Sequence, residues 1–197
     1  MKTALSTSFR LIDGSYFDFL NPDPSVITVD NVAHGLSRNC RYNGHVPDFY
    51  SVAEHSVHCA VCAMEGGECL DACLAVLLHD AGEAVTGDVV KPLKILLGFD
   101  FKAIEARIDT AVEIAFGVDF SKHHEVIYKY DMGMLIVEKN FFRPGDDTVW
   151  IGEEDAVKLD AEIMQWDPNR AKSHFSNLLK RWLREKEITD KRLENHI

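Results

Sequence analysis

No apolar run in the 197 residues is long enough to span a bilayer, which argues against an integral membrane protein. The opening residues, Met1-Lys2-Thr3-Ala4-Leu5-Ser6, lack the apolar centre of a secretory signal, so the expected location is the cytoplasm. Basic residues are the minority: 21 Lys and Arg stand against 32 Asp and Glu, a formal net charge of −11. So acidic a chain has little surface for displacing counterions from a polyanion, and neither a nucleic-acid polymer nor a membrane is expected as a partner. A small anion remains admissible, because a few local cations can override the mean field. No Walker A sequence, no Gly-x-Ser-x-Gly and no dinucleotide fingerprint around Gly82 and Gly87 occurs, which removes P-loop NTPases and serine hydrolases from the expectation. The five cysteines cannot all pair internally. Cys59 and Cys62, with Cys69 and Cys73 beyond, have the spacing of a zinc cue. They lie inside a helical pattern without the turn residues of a knuckle, and read as core thiols.

What is present points to one mostly helical domain of 1–197, with a core over about 29–142 and C-terminal helices over about 153–188. Asp13-Gly14 between two alternating runs predicts a short N-terminal β-hairpin. Asn21-Pro22-Asp23-Pro24-Ser25 breaks the chain, and helices dominate afterwards. Thr28 or Asp30 opens a helix to about Asn39, and Arg41 to Pro47 reads as a loop. Ser51 with Glu54 makes a capping box for a helix ending near Gly66-Gly67. An almost wholly apolar helix follows from about Leu70 to Asp80. Further helices are expected at 101–116, 125–142, 153–166 and 169–186, with a frayed tail from Thr189. The late helices with Trp166 and Trp182 either form an interface or close the core.

The chemistry-bearing residues centre on His79-Asp80, at the end of that apolar helix. An imidazole beside an ionised carboxylate is costly in such a place unless something compensates, and a bound cation compensates both. His55 lies between Val52 and Cys59 on one helical stripe, and Asp131 lies between Ile127 and Met134 on another. Each has a plain alternative: a core histidine bonded to a carbonyl, and a carboxylate paired with an arginine. Glu83 falls one helical turn after His79, where a solvated surface acid is the alternative. Together they offer two imidazoles and two carboxylates from three helices, a mixed N/O set suited to a first-row divalent ion. Arg41 has a forked donor set for phosphate, Tyr42 a ring for a base or sugar, and Lys91 a charge for phosphate. Lys94 reads as an exposed helix-end cation, and His34, His45 and His58 stay outside the metal set.

Ser51-Val52-Ala53-Glu54-His55-Ser56, Leu77 to Asp88 and Tyr130-Asp131 together resemble the HD-domain metal-dependent phosphohydrolases. The branch most similar is that of the compact 5'-deoxynucleotidases, with the related bacteriophage deoxynucleoside triphosphate hydrolases, one of which acts on dATP. The resemblance runs from about Val29 to Phe142 and implies an all-α HD-domain bundle. It implies one divalent ion (Zn, Co, Mn, Ni or Mg) held by His55, His79, Asp80 and Asp131. It gives Glu83 a catalytic role beside Asp80, and nucleotide contacts to Asp88, Arg41 and Tyr42, with Tyr42 standing where the branch carries Trp. The implied activity is cleavage of a dNMP to a nucleoside or of a dNTP to a nucleoside and triphosphate, by a homo-oligomer acting on a small nucleotide. Two alternatives are carried with it: an HD hydrolase of alarmones or cyclic nucleotides, and a nucleotide-binding regulator without turnover. Alarmone hydrolases tend to carry an acidic pair after His-Asp, where Gly82-Glu83 supplies one acid.

Overall fold

The computed structural model describes residues 7–150, 152–153 and 156–194. Strands β1 (Ser8–Arg10) and β2 (Tyr16–Asp18) pair antiparallel in the register Phe9 opposite Phe17. The turn works as its residues dictate: Gly14 takes φ +93°, and Asp13 accepts hydrogen bonds from the Ser15 amide and hydroxyl. Asn31 then ties the hairpin down, donating to Asp13 at 2.7 Å and to the Val26 carbonyl at 3.0 Å.

Seven helices follow among the described residues: α1 (Val29–Leu36), α2 (Val52–Glu65), α3 (Leu70–Leu78), α4 (Glu83–Thr86), α5 (Lys91–Phe116), α6 (His124–Phe142) and α7 (Pro168–Glu194). The fold is therefore mostly helical with a small N-terminal hairpin, as the patterning implies. No described helix is long and apolar enough to cross a membrane. Thr28 caps α1 and Ser51 caps α2, each hydroxyl accepting the amide three residues on. Helix α3 is buried from Ala72 to Leu78, and α2, α6 and α7 pack around it. Between α1 and α2 the chain makes a 3-10 turn at Arg41–Gly44, in which Tyr42 and Asn43 take the left-handed conformation. Gly35 lets α1 approach α4 closely, since a Cβ there would lie 2.5 Å from the Ala84 carbonyl. That contact fixes the short helix that carries Glu83.

Four expectations are corrected. The helix expected at 153–166 is absent over its described residues: 156–167 run without helix across α6, while 154 and 155 lie outside the described residues. Gly133 permits the crossing, because a Cβ there would meet Leu159 at 2.8 Å and the Val157 carbonyl at 2.9 Å. The amides a helix would use at Met164, Gln165 and Trp166 donate instead to the buried Glu54 carboxylate, at 2.9, 2.7 and 2.6 Å. Glu54 thus serves a distant segment rather than completing the capping box at its own helix end. Second, α7 continues to Glu194 instead of fraying from Thr189. Lys191 pairs with Glu187 one turn back, and Lys186 bridges to Asp71 on α3. Third, α5 begins at Lys91 with Pro92 in its first turn, a position where proline lacks no needed donor, and is broken at Gly98 (φ 68°, ψ −142°). Fourth, Cys69 is exposed whereas Cys59, Cys62 and Cys73 are buried, and all are free thiols. Trp166 and Trp182 both lie in the core with Phe175 and Leu179, so the late segment closes the core.

Candidate metal centre

Three helices bring their chemistry to one point. His55 comes from the first turn of α2, His79 and Asp80 from the end of α3, and Asp131 from the middle of α6. His55 Nε2 lies 3.2 Å from Asp131 Oδ1 and 3.8 Å from Asp80 Oδ2. His79 Nε2 lies 3.3 Å from Asp80 Oδ2 and 3.8 Å from Asp131 Oδ1. Ligand atoms of His55, His79 and Asp80 all fall within 4.8 Å of one another, a group able to hold a metal ion. Asp131 stands over it as the most exposed of the four.

Outer partners fix the two imidazoles in matching tautomers. His79 Nδ1–H donates to the Val76 carbonyl at 2.7 Å. His55 Nδ1 lies 2.6 Å from Glu138 Oε1, and because an ionised carboxylate only accepts, that nitrogen carries the proton. Both Nε2 atoms are thereby aimed at the shared point, the arrangement that metal-ligating histidines use. His79 Nε2 is buried and has no hydrogen-bond partner, although Asp80 is close. An orphaned imidazole nitrogen in a two-nitrogen, carboxylate-rich set fits a divalent cation.

The electrostatics say the same. Burial opposes charge on His79, but Asp80 and Asp131 overcome it and hold its pKa well above the ordinary value. His55 is raised as well: burial and Arg41 oppose its charge, and the Cys59 thiol, Glu138 and Asp131 outweigh them. Burial pushes up on Asp80 and Asp131 too, yet the imidazoles pull both well below the carboxylate range. Two acids that insist on being ionised can be neutralised by protons on two histidines or by one dication.

Glu138 is the functional residue that sequence reading passes over. Fully buried on α6, it accepts from Arg41 Nε at 3.2 Å, Arg41 Nη2 at 3.1 Å, Tyr42 Oη at 2.6 Å, Tyr50 Oη at 2.9 Å and His55 Nδ1 at 2.6 Å. Burial pushes its pKa up; Arg41 and His55 pull it down to about 2. The signal was there: Glu138 follows Asp131 and Met134 on the same α6 stripe.

The other expected residues divide. Arg41 is in the cluster, with Nη1 at 3.5 Å from Asp80 Oδ2 while its other nitrogens are held by Glu138. Tyr42 is anchored rather than free: its hydroxyl is on Glu138, and its ring packs near Phe142 and Trp150 with Arg143 over it. Asp88 reaches the same turn, accepting the Tyr42 amide at 2.9 Å. Glu83 lines a cavity of about 190 Å³ with His79, Asp80, Thr86, Lys94, Glu105 and Asp109. Its Oε2 is buried without a partner, and burial with Asp80 and Asp88 lifts its pKa to about 8. Lys91 is exposed at the start of α5. The cation inside the cavity is Lys94, expected at an exposed helix end but found 3.3 Å from Glu83 and 3.0 Å from Glu105. Of the three histidines set aside, His45 is exposed, His34 lies on α1, and His58 packs by Glu54 and Trp166.

Fold and site define a helical protein with a part-buried His/Asp group able to hold a metal. The chain belongs to the family of the uncharacterized protein YfdR of Escherichia coli (strain K12). The two are 34% identical over 135 residues, covering 68% of this chain and 71% of the relative. It is also 36% identical over 113 residues to the uncharacterized protein RCAP_rcc00048 of Rhodobacter capsulatus, covering 55% of this chain and 58% of that one. No family model matches the chain.

Proposed function

We propose that the chain is an HD-domain phosphohydrolase of deoxynucleotides that works with one divalent ion held by His55, His79, Asp80 and Asp131. The observation that carries the reading is the shared aim of two tautomer-locked Nε2 atoms at two ionised carboxylates. A divalent ion there supplies Lewis acidity toward a phosphoryl oxygen and acidifies water in contact with it.

The chain's own residues do the rest. Hydrolysis joins a water oxygen to phosphorus and expels the ester oxygen, which must take up a proton. Glu83, with a pKa of about 8, is protonated at neutral pH and lines the cavity beside His79-Asp80, so it is placed to give that proton. Arg41 turns its most loosely held nitrogen, Nη1, toward the cluster, where a phosphoryl oxygen is the natural acceptor. Asp88 holds the Arg41–Gly44 turn in register by its bond to the Tyr42 amide.

The test has two readouts. Calorimetric titration of chelator-treated protein with Zn, Mn, Co, Ni and Mg should show one site, with proton release on binding because the ion replaces imidazole protons. Affinity should fall as pH drops through the raised histidine pKa values, and Asp80→Ala should abolish binding. A panel of dNMPs, dNTPs, ppGpp and cyclic dinucleotides, with products identified by chromatography, should then show metal-dependent cleavage of a deoxynucleotide. Glu83→Gln should keep the metal and lose most turnover. No metal bound by any of the five ions overturns the reading; metal and nucleotide binding without phosphate release makes the chain a regulator.

A further inference from the structure

Among the described residues that line the cavity of about 190 Å³ beside His79 and Asp80, Lys94 is the only lysine or arginine. Its place there is not what a continuous helix would give. Lys94 and Glu105 both belong to α5 and would stand about 16 Å apart along a straight helix. The break at Gly98 (φ 68°, ψ −142°) folds the first turns back and brings Lys94 Nζ to 3.0 Å from the Glu105 carboxylate. Only glycine adopts that backbone conformation freely. A Cβ at Gly98 would meet nothing within 4 Å, so the backbone angle, not space, calls for glycine.

The same ammonium lies 3.3 Å from Glu83 Oε1. Burial opposes its charge, but Glu83 and Glu105 outweigh burial and hold its pKa above the ordinary lysine value. An ammonium has three donors and no lone pair, so Glu83 Oε1 can only accept from it. When Glu83 carries a proton, that proton therefore sits on Oε2. Oε2 is the oxygen left buried without a partner, on a side chain that is 10% exposed. A phosphate-binding role for Lys94 fits these surroundings poorly. An anion entering to meet it would face the carboxylates of Asp80, Glu105 and Asp109 on the same cavity wall.

We propose that Lys94, braced by Glu105, is the positioning residue for the general acid Glu83: it occupies Oε1 and leaves Oε2 to deliver the proton. The inference rests on the hydrolysis proposed above. As the ester P–O bond breaks, its electron pair stays with the departing oxygen, which takes the proton from Oε2. The attacking water gives its oxygen to phosphorus and releases one proton, which restores Glu83 through solvent. Between these two events Glu83 is a carboxylate 3.3 Å from an ammonium. Lys94 therefore favours the state in which the proton has left, and favours it more than the resting acid.

The test is steady-state kinetics of the metal-loaded full chain, with whichever dNMP or dNTP the wild type cleaves. Lys94→Met should lower kcat about 10–100-fold with KM within about threefold, and Lys94→Arg, which keeps a charged donor, should recover most of the loss. Glu105→Gln and Gly98→Ala, which loosen the lysine without removing it, should each lower kcat about 3–10-fold. Adding Lys94→Met to Glu83→Gln should cost less than about twofold more, because Lys94 acts through Glu83. Lys102→Met, at an exposed position further along α5, should leave kcat unchanged. Metal affinity by calorimetric titration should stay within about threefold of wild type in every variant, which separates a misplaced acid from a damaged metal centre. A Lys94→Met variant that keeps kcat within about twofold overturns the inference and leaves the hydrolase reading standing. A rise in KM at unchanged kcat makes Lys94 a phosphate ligand and equally overturns it. So does full additivity of the Lys94→Met and Glu83→Gln losses, or loss of the metal from Lys94→Met. A wild type that cleaves none of the nucleotides removes the hydrolase reading, and this inference with it.

Discussion

Replacing Glu138 by Gln keeps the shape of the side chain and removes one buried charge. Its carboxylate serves Arg41, Tyr42, Tyr50 and His55 at once, so the change disturbs the Arg41–Gly44 turn and the candidate metal ligand His55 together. The magnitude follows from the depressed pKa. A carboxylate at about 2 in the folded chain against 4.5 unfolded contributes about 3 kcal/mol. Breaking a buried pair by removing one member costs a similar amount, about 3–5 kcal/mol, because Arg41 stays buried. The sign is fixed by the direction of the shift: the contribution is complete above about pH 4.5 and is lost as pH falls toward about 2. Urea unfolding should therefore show a loss of about 3 kcal/mol at pH 7, shrinking below about pH 4. Metal affinity should drop about 10–100-fold, since a neutral amide is a poorer acceptor for the His55 Nδ1 proton and can equally present its own N–H. Combining Glu138→Gln with Arg41→Ala should cost well under the sum of the two, as both remove one interaction. A Glu138→Gln variant within about 1 kcal/mol of wild type, binding metal within about threefold, would refute the idea that this carboxylate organises the site.

Two further perturbations probe the walls of the site. Asp109, beside the cavity, has its pKa pushed up to about 6 by burial and by Glu105, Glu113 and Asp80. Its ionised form therefore destabilises the fold, and stability falls as pH rises through that range. Asp109→Asn in metal-free protein should gain about 2 kcal/mol at pH 8 and almost nothing near pH 4, by urea unfolding; an equal effect at both would contradict the assignment. Glu54→Gln should cost about 2 kcal/mol, because one amide oxygen cannot receive the three backbone donors of 164–166. Hydrogen exchange should quicken at those three amides ahead of the α2 amides; uniform change would mean that Glu54 holds no separate segment.

The parts of this molecule readable from sequence are those that depend on local rules. Asp13-Gly14, Thr28, Ser51 and the Leu70–Leu78 apolar run each act within a few residues, and each does what its chemistry predicts. The convergence of His55, His79, Asp80 and Asp131 was legible for another reason: each polar group interrupts an apolar stripe, and inward faces must meet. What escaped depends on partners far away in the chain. The apolar spacing of 153–166 fits a helix, but its backbone donors are claimed by Glu54, more than 100 residues earlier. Lys94 looked like a helix-end cation because its acceptors, Glu83 and Glu105, come from two other turns of structure. Glu138 escaped because an acid late in a helix is ordinarily solvated.

Glu54 and Glu138 are both fully buried, and they leave the region of His55 toward opposite partners. One binds the amides that lead into α7; the other binds the arginine and tyrosines beside the candidate metal centre. A buried carboxylate against a buried histidine, as Glu138 stands against His55, is an expensive way to stabilise a bundle, since well-packed apolar groups do as well. It is warranted if the position and tautomer of that histidine matter more than the stability forgone. On that view the ligands are placed in advance, and an ion binding the centre meets little reorganisation. Metal should then raise the unfolding midpoint without changing the urea dependence of the unfolding free energy, because no extra surface is buried when it binds. A steeper urea dependence on loading would mean that the centre is assembled by the ion, and that Glu138 does not hold it ready.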